Sequence, residues 1–257
     1  MMRRLTSLAL FGALLAAPLT MAAPAFAQDT PPVPPQQWSF SGLFGTYDQA
    51  SLQRGFQVYK EVCSSCHSME YLHYRDLSGI GLNLAQIKAI AASVQVPGGI
   101  DKSGQPFSRP GRPADTFKAP FPNAEAAQAA FGGALPPDQS LLVNALPDGP
   151  NFIYAILNGY AKPPPGLKLA PGKYYNEFFP GHQISMPPPL ASGRVTYADG
   201  TPASVPQMSH DVVTFLAWAS NPEMDERKAM GVRVILFLAL LTGLTYAVKR
   251  KIWSDVH

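Results

Sequence analysis

The chain contains only two cysteines, three positions apart, with a histidine directly after the second: Cys63-Ser64-Ser65-Cys66-His67. C-x-x-C-H is the haem c attachment signature. Two thiols on one helical turn can reach the two vinyl groups of a porphyrin edge and form thioethers. The histidine that follows is then held under the ring, where an imidazole nitrogen ligates the iron. Two other readings share part of the pattern. A structural zinc site normally takes four Cys or His ligands, often as a second cysteine pair, and the chain has no other cysteine. A thioredoxin-like redox pair has no use for His67. The segment therefore predicts a fold that wraps one covalently attached haem c, with Cys63 and Cys66 as the thioether residues and His67 as the proximal iron ligand.

Both ends of the chain address it to a membrane. Arg3 and Arg4 precede the apolar stretch from Leu8 to Leu19, and Ala25-Phe26-Ala27 forms an A-x-A cleavage site, which is the pattern of a secretory signal. Pro18 and Pro24 interrupt the far end of the stretch, which argues against an anchor there. Near the C-terminus no residue from Val234 to Val248 is charged, and the run from Gly231 to Val248 reaches roughly 27 Å as a helix, just enough for the hydrocarbon core. Arg233 can extend its head to the interface, Lys249, Arg250 and Lys251 stop the run, and Trp253 sits where an anchoring aromatic belongs. A buried core helix rarely ends on three successive cations. The expected division is a cleaved signal at 1–27, a periplasmic haem domain at 28–226, an anchor helix at 227–250 and a cytoplasmic tail at 251–257. Export of the N-terminus fixes the orientation in a bacterial inner membrane. In the oxidising compartment beyond it an unused cysteine pair tends to become a disulfide, a fate that haem attachment removes.

Charge becomes informative once these segments are separated. The whole chain is formally +3, yet residues 28–226 hold sixteen acidic against twelve basic side chains, a net −4. A mildly acidic electron-transfer domain on a membrane surface suits a basic, diffusing partner through steering rather than tight binding. Nucleic acid is not an expected partner.

About 200 residues between signal and anchor make a single domain the default. The 27 prolines and 21 glycines, in clusters such as Pro163-Pro164-Pro165, favour ordered loops over long helices or sheets. Apolar periodicity predicts a helix from Asp48 to Val62, with Leu52, Phe56, Tyr59 and Val62 on one face, that delivers Cys63 at its end. Asn83 can cap a second helix with the stripe Leu84, Ile87, Ile90 and Val94, ended by Pro97-Gly98-Gly99. A short helix is expected over Phe152 to Leu157 and a longer one over Met208 to Ser220, stopped at Asn221-Pro222. The fold class is mainly α: a cytochrome-like haem domain with long loops plus one C-terminal transmembrane helix.

Iron held by His67 needs a group on its other face. Met69 is too close in sequence to cross the ring, and Met224 and Met230 belong to the membrane approach. Met186 precedes Pro187-Pro188-Pro189, a stiff, extended stretch that can hold a loop flat while presenting one side chain. Met186 is thus the preferred sixth ligand, with Met208, His73, His182 and His210 as alternatives. Met/His ligation leaves no open coordination site, which points to an electron carrier rather than an oxygen or peroxide enzyme.

Segments spread over almost the whole mature chain resemble the cytochrome c1 family, the haem c subunit of the cytochrome bc1 complex (ubiquinol–cytochrome c oxidoreductase). They are Leu52-Gln53-Arg54-Gly55 and Val58-Tyr59-Lys60-Glu61-Val62 before the haem motif, and Met69-Glu70-Tyr71 after it. Further along come Ala134-Leu135-Pro136-Pro137-Asp138, Gly159-Tyr160, Tyr174-Tyr175-Asn176, Met186-Pro187-Pro188-Pro189-Leu190, and Ala219 through Lys228. The resemblance implies a class I cytochrome c fold elaborated by long loops, with Cys63 and Cys66 as thioether residues, His67 as proximal ligand and Met186 as distal ligand. It implies a redox subunit without catalytic residues of its own, receiving electrons from the Rieske iron–sulfur protein and passing them to a cytochrome c. Quinone chemistry would belong to cytochrome b, inside a dimeric parent complex. Two features depart from the family pattern. The region Leu142 to Phe152 lacks the arginine often available there to a haem propionate, and Gln139 stands where leucine is usual. Arg109 and Arg112 are the replacement candidates. The competing readings are another membrane-anchored cytochrome c (an oxidase subunit or tethered carrier), a haem peroxidase, and a haem-free thiol oxidoreductase.

Overall fold

A computed structural model describes residues 31–254, so the proposed signal at 1–27 and the last three residues of the proposed tail lie outside it. Helix α1 (Gln49–Glu61) begins where Asp48 accepts the backbone N–H of Ser51, and it ends at Val62, whose N–H returns to Val58 O. Its buried face carries Leu52, Phe56, Val58 and Tyr59. A 3-10 turn (Cys63–Ser65) follows, and a longer 3-10 segment (Tyr74–Ile80) precedes α2 (Leu84–Ala92). Asn83 and Gln86 bond reciprocally at the start of α2, forming a capping box.

The stripe expected for α2 holds only in its middle. Ile87 and Ala91 are buried, but Leu84 is 60% exposed because it stands at the first helical position beside the cap. The helix ends at Ala92, capped by Ser93, before the Pro97-Gly98-Gly99 stop. The chain then enters an antiparallel hairpin, β1 (Gln95–Ile100) with β2 (Pro106–Pro110), whose register shifts between Pro97 and Gly99. The glycine that reads as a helix terminator has a packing role here. A side chain on Gly98 would collide with the Phe107 ring across the hairpin.

Three short helices follow: α3 (Ala124–Ala130), α4 (Leu142–Ala145) and α5 (Gly149–Asn158). A small antiparallel pair, β3 (Tyr174–Tyr175) and β4 (Gln183–Ile184), then leads into the Met186 loop. Helix α6 (Val205–Ser220) is capped by Ser204 and crosses the middle of the core. Met208, Val212, Phe215, Leu216 and Trp218 are essentially buried along it. It meets α1 closely at Gly55, where any side chain would strike the Asp211 carbonyl. Phe56, Tyr59, Phe117 and Phe215 form a connected ring cluster at this crossing.

Helix α7 (Met224–Ile252) has 29 residues, about 43 Å at 1.5 Å per residue, none of them buried. It is the one helix among the described residues long and apolar enough to cross a membrane. It starts earlier than the expected anchor, because its first turns dock on the head. Asp225 accepts the Tyr47 N–H, and Lys228 Nζ donates to the carbonyls of Phe40 and Gly45.

Candidate functional site

The end of α1 places the cysteine pair. Both Cys66 N and His67 N donate to Cys63 O, at 3.0 and 2.9 Å, so the motif closes on itself in one turn. The two cysteines are half-buried and unpaired with each other. Burial, with a further push from Cys66, raises the Cys63 thiol to about 12. A redox-active thiol needs the opposite shift, since the thiolate is the nucleophile.

His67 is oriented from a distance in sequence. Its Nδ1 lies 2.9 Å from the carbonyl oxygen of Pro137, a pure acceptor, so Nδ1 carries a proton. Burial lowers the imidazole pKa, outweighing the Pro137 bond and the nearby Asp138 charge, which raise it. A neutral ring protonated at Nδ1 keeps its Nε2 lone pair for a metal.

Asp138 locks this arrangement. Its carboxylate accepts from Ser68 Oγ (2.7 Å), Glu70 N (2.9 Å) and Ser140 N (2.8 Å), while Gln139 N donates to Ser68 O. Tyr71 N donates to Ser140 Oγ, and Ser220 Oγ donates to Ser140 O, which fastens the loop to the end of α6. Two thiols beside one neutral, oriented imidazole are the donor set that haem c requires.

Met186 stands in the loop after β4, half-buried, with its carbonyl accepting the Tyr160 hydroxyl at 3.0 Å. The residues holding Met186 and those holding His67 do not overlap. The alternative ligands each have other engagements. Met208 is fully buried in the core, His210 stacks on Trp38 at 4.8 Å, His182 stacks on Tyr175, and His73 faces Asp76. Met69 is fully buried as well. Arg109, one candidate for a propionate, already directs two nitrogens onto Asp115 at 2.6 and 2.7 Å. Arg112 is exposed, and its own N–H donates to Asp115.

Sequence reasoning proposes the attachment residues but does not reach the Pro137 carbonyl, the Asp138 clamp or the Tyr160 hydroxyl. The Pro-Pro-Asp string was visible, but nothing local indicates that it folds onto His67.

A mainly helical head with a C-x-x-C-H turn, a prepared histidine and a long apolar C-terminal helix defines a membrane-anchored c-type cytochrome. Residues 38–256 match the Cytochrome C1 family, and the chain belongs to it. It is 51% identical over 237 residues to cytochrome c1 of Rhodospirillum rubrum, covering 86% of this chain and 87% of that one. It is 46% identical over 223 residues to the mitochondrial heme protein cytochrome c1-2 of Solanum tuberosum, covering 86% and 85% of the two chains. It is also 45% identical over 246 residues to cytochrome b/c1 of Bradyrhizobium diazoefficiens, spanning 36% of that longer protein. Family membership brings one covalently bound haem c, electron transport as its process, and a place as a haem subunit of the cytochrome bc1 complex.

Proposed function

We propose that this chain relays electrons from the Rieske iron–sulfur protein to a basic cytochrome c within a dimeric cytochrome bc1 complex, alongside cytochrome b. In this reading residues 28–226 form the periplasmic head, 227–250 the anchor in a bacterial inner membrane, and 251–257 the cytoplasmic tail, after removal of 1–27. The observation that carries it is His67, kept neutral by burial and oriented by Pro137, in the attachment turn of a head tied to a membrane helix.

Bound haem c supplies the one-electron chemistry. Cys63 and Cys66 would tether it, His67 would ligate the iron on one side and Met186 on the other. Pro137 fixes the His67 ring, Asp138 fixes the segment behind it, and Tyr160 fixes the Met186 backbone. Ligands positioned in advance need little rearrangement when the charge of the site changes, which suits a relay. This reading leaves quinone chemistry to cytochrome b. The chain contributes to quinol–cytochrome-c reductase as a redox subunit.

An affinity-tagged chain, extracted in mild detergent, tests the proposal. It should carry a b-type cytochrome and an iron–sulfur protein with it, and its haem should be reduced by quinol in that preparation. Isolation with oxidase subunits instead would replace this reading with that of a different membrane-anchored cytochrome c.

A further inference from the structure

Residues 39–46 form a closed loop whose tip is apolar and uncovered. Thr46 N donates to Ser39 O across its neck, and Ser41 N donates to Trp38 O. Gly42 takes φ +73° at the bend, and Gly45 has no room for a side chain against Ser41 O. At the tip Leu43 is 63% and Phe44 78% exposed. Scattered exposed apolar residues need no explanation, but this pair is adjacent and rigidly presented. Phe40 stacks on Trp38 and packs at a tilt against Tyr47 at the neck, and Trp38 and Tyr47 are buried in the head.

The loop is also fastened to the start of α7. Tyr47 N bonds to Asp225, and Lys228 Nζ donates to Phe40 O and Gly45 O. Lys228 stands three residues before Gly231, where the apolar run begins. Exposed Arg227 and Arg233 flank that point, as cations do beside lipid headgroups.

We propose that Leu43 and Phe44 form a second membrane contact, inserting into the boundary between headgroups and acyl chains beside α7. The proposal rests on reading α7 as the membrane anchor. With one helix the head could swivel about its tether. A second contact, rigidly joined to the first through Lys228, fixes the tilt of the head on the bilayer. The occupant is lipid, because the loop is continuous with the anchor and the flanking charges are cationic.

The test is photo-crosslinking in the full-length haem-loaded chain, reconstituted in vesicles of phosphatidylcholine and phosphatidylglycerol. A benzophenone amino acid is placed at Phe44, at Leu238 within the anchor, or at Ser103, which is exposed in the β1–β2 turn. Illumination should attach a phospholipid, read as a mass increase, at positions 44 and 238 but not at 103. Lipid at 238 with none at 44 overturns the second contact while leaving the anchor intact. Absence of lipid at both positions overturns the anchor reading and this one with it. Lipid at 103 as well overturns a contact specific to the tip, because the label then reports no docking.

Discussion

His67, the proposed proximal ligand, shows how a side chain is prepared by its surroundings. The Pro137 carbonyl can only accept, so the proton sits on Nδ1, and burial keeps the ring neutral. Asp138 is the next link outward. Burial opposes its ionisation, but hydrogen bonds from Ser140, Ser68 and Glu70 outweigh that and hold its carboxyl below the usual carboxylate range. A depressed folded-state pKa means that the stabilisation is complete at neutral pH and disappears as pH falls through the folded value, below ~4. Asp138→Asn should lower stability at neutral pH by about 2 kcal/mol, the scale of hydrogen bonds to a charged group. The gap to wild type should then narrow as the medium is acidified. Thermal unfolding across pH reads both, and parallel curves for the two proteins would refute the charged clamp. For Met186 the expectation is spectroscopic and electrochemical. Met186→Leu should keep the covalent haem, seen in an unchanged pyridine haemochrome spectrum, and lower the reduction potential sharply, because a Met/His ligand pair raises it. An unchanged potential would sink the assignment of Met186 as distal ligand.

Helices α1 and α6 meet without a spacer at Gly55, and that contact sets the frame from which the attachment turn projects. Gly55→Ala gains a little helix propensity, up to about 1 kcal/mol. It also drives a methyl group into the Asp211 carbonyl, and overpacking of this kind costs about 1–3 kcal/mol or more. Asp211 is buried and held by Arg54 and Gln207, so it cannot yield cheaply. A net loss near 2 kcal/mol in chemical denaturation is expected, and a variant as stable as wild type would show that the helices can part. The same elements explain what was legible in the sequence. Helices α1 and α6 announce themselves by apolar periodicity and caps, signals contained within a dozen residues. The β1–β2 hairpin does not, since Pro97, Gly98 and Gly99 look like terminators until Phe107 is seen lying across them. The orientation of His67 was equally hidden, because its partner Pro137 is 70 residues away. Met186 is preferred over the histidines only through the proline stretch that follows it. The stacking of His210 on Trp38 and of His182 on Tyr175 required the fold.

At the scale of the whole molecule, charge is separated from anchoring. The basic residues beyond 226 are Arg227, Lys228, Arg233, Lys249, Arg250 and Lys251, all on α7, whereas residues 28–226 carry a net −4. The +3 of the full chain therefore hides an acidic head standing above a basic stem. Attraction between such a head and a basic cytochrome c acts over the Debye length, ~10 Å at 0.1 M salt and ~3 Å at 1 M. Steering can raise association rates by roughly 10-fold to 1,000-fold, and it fades with ionic strength. The second-order rate of electron transfer from the reduced complex to a basic cytochrome c should therefore fall by about tenfold or more between low and molar salt. The first-order step within a preformed encounter should change little. Stopped-flow measurement with a neutralised acceptor provides the contrast, because its rate should be low and nearly insensitive to salt. A basic acceptor whose bimolecular rate is unaffected by salt would mean that the negative charge of the head lies away from the docking face, and that the acceptor is recognised by shape instead.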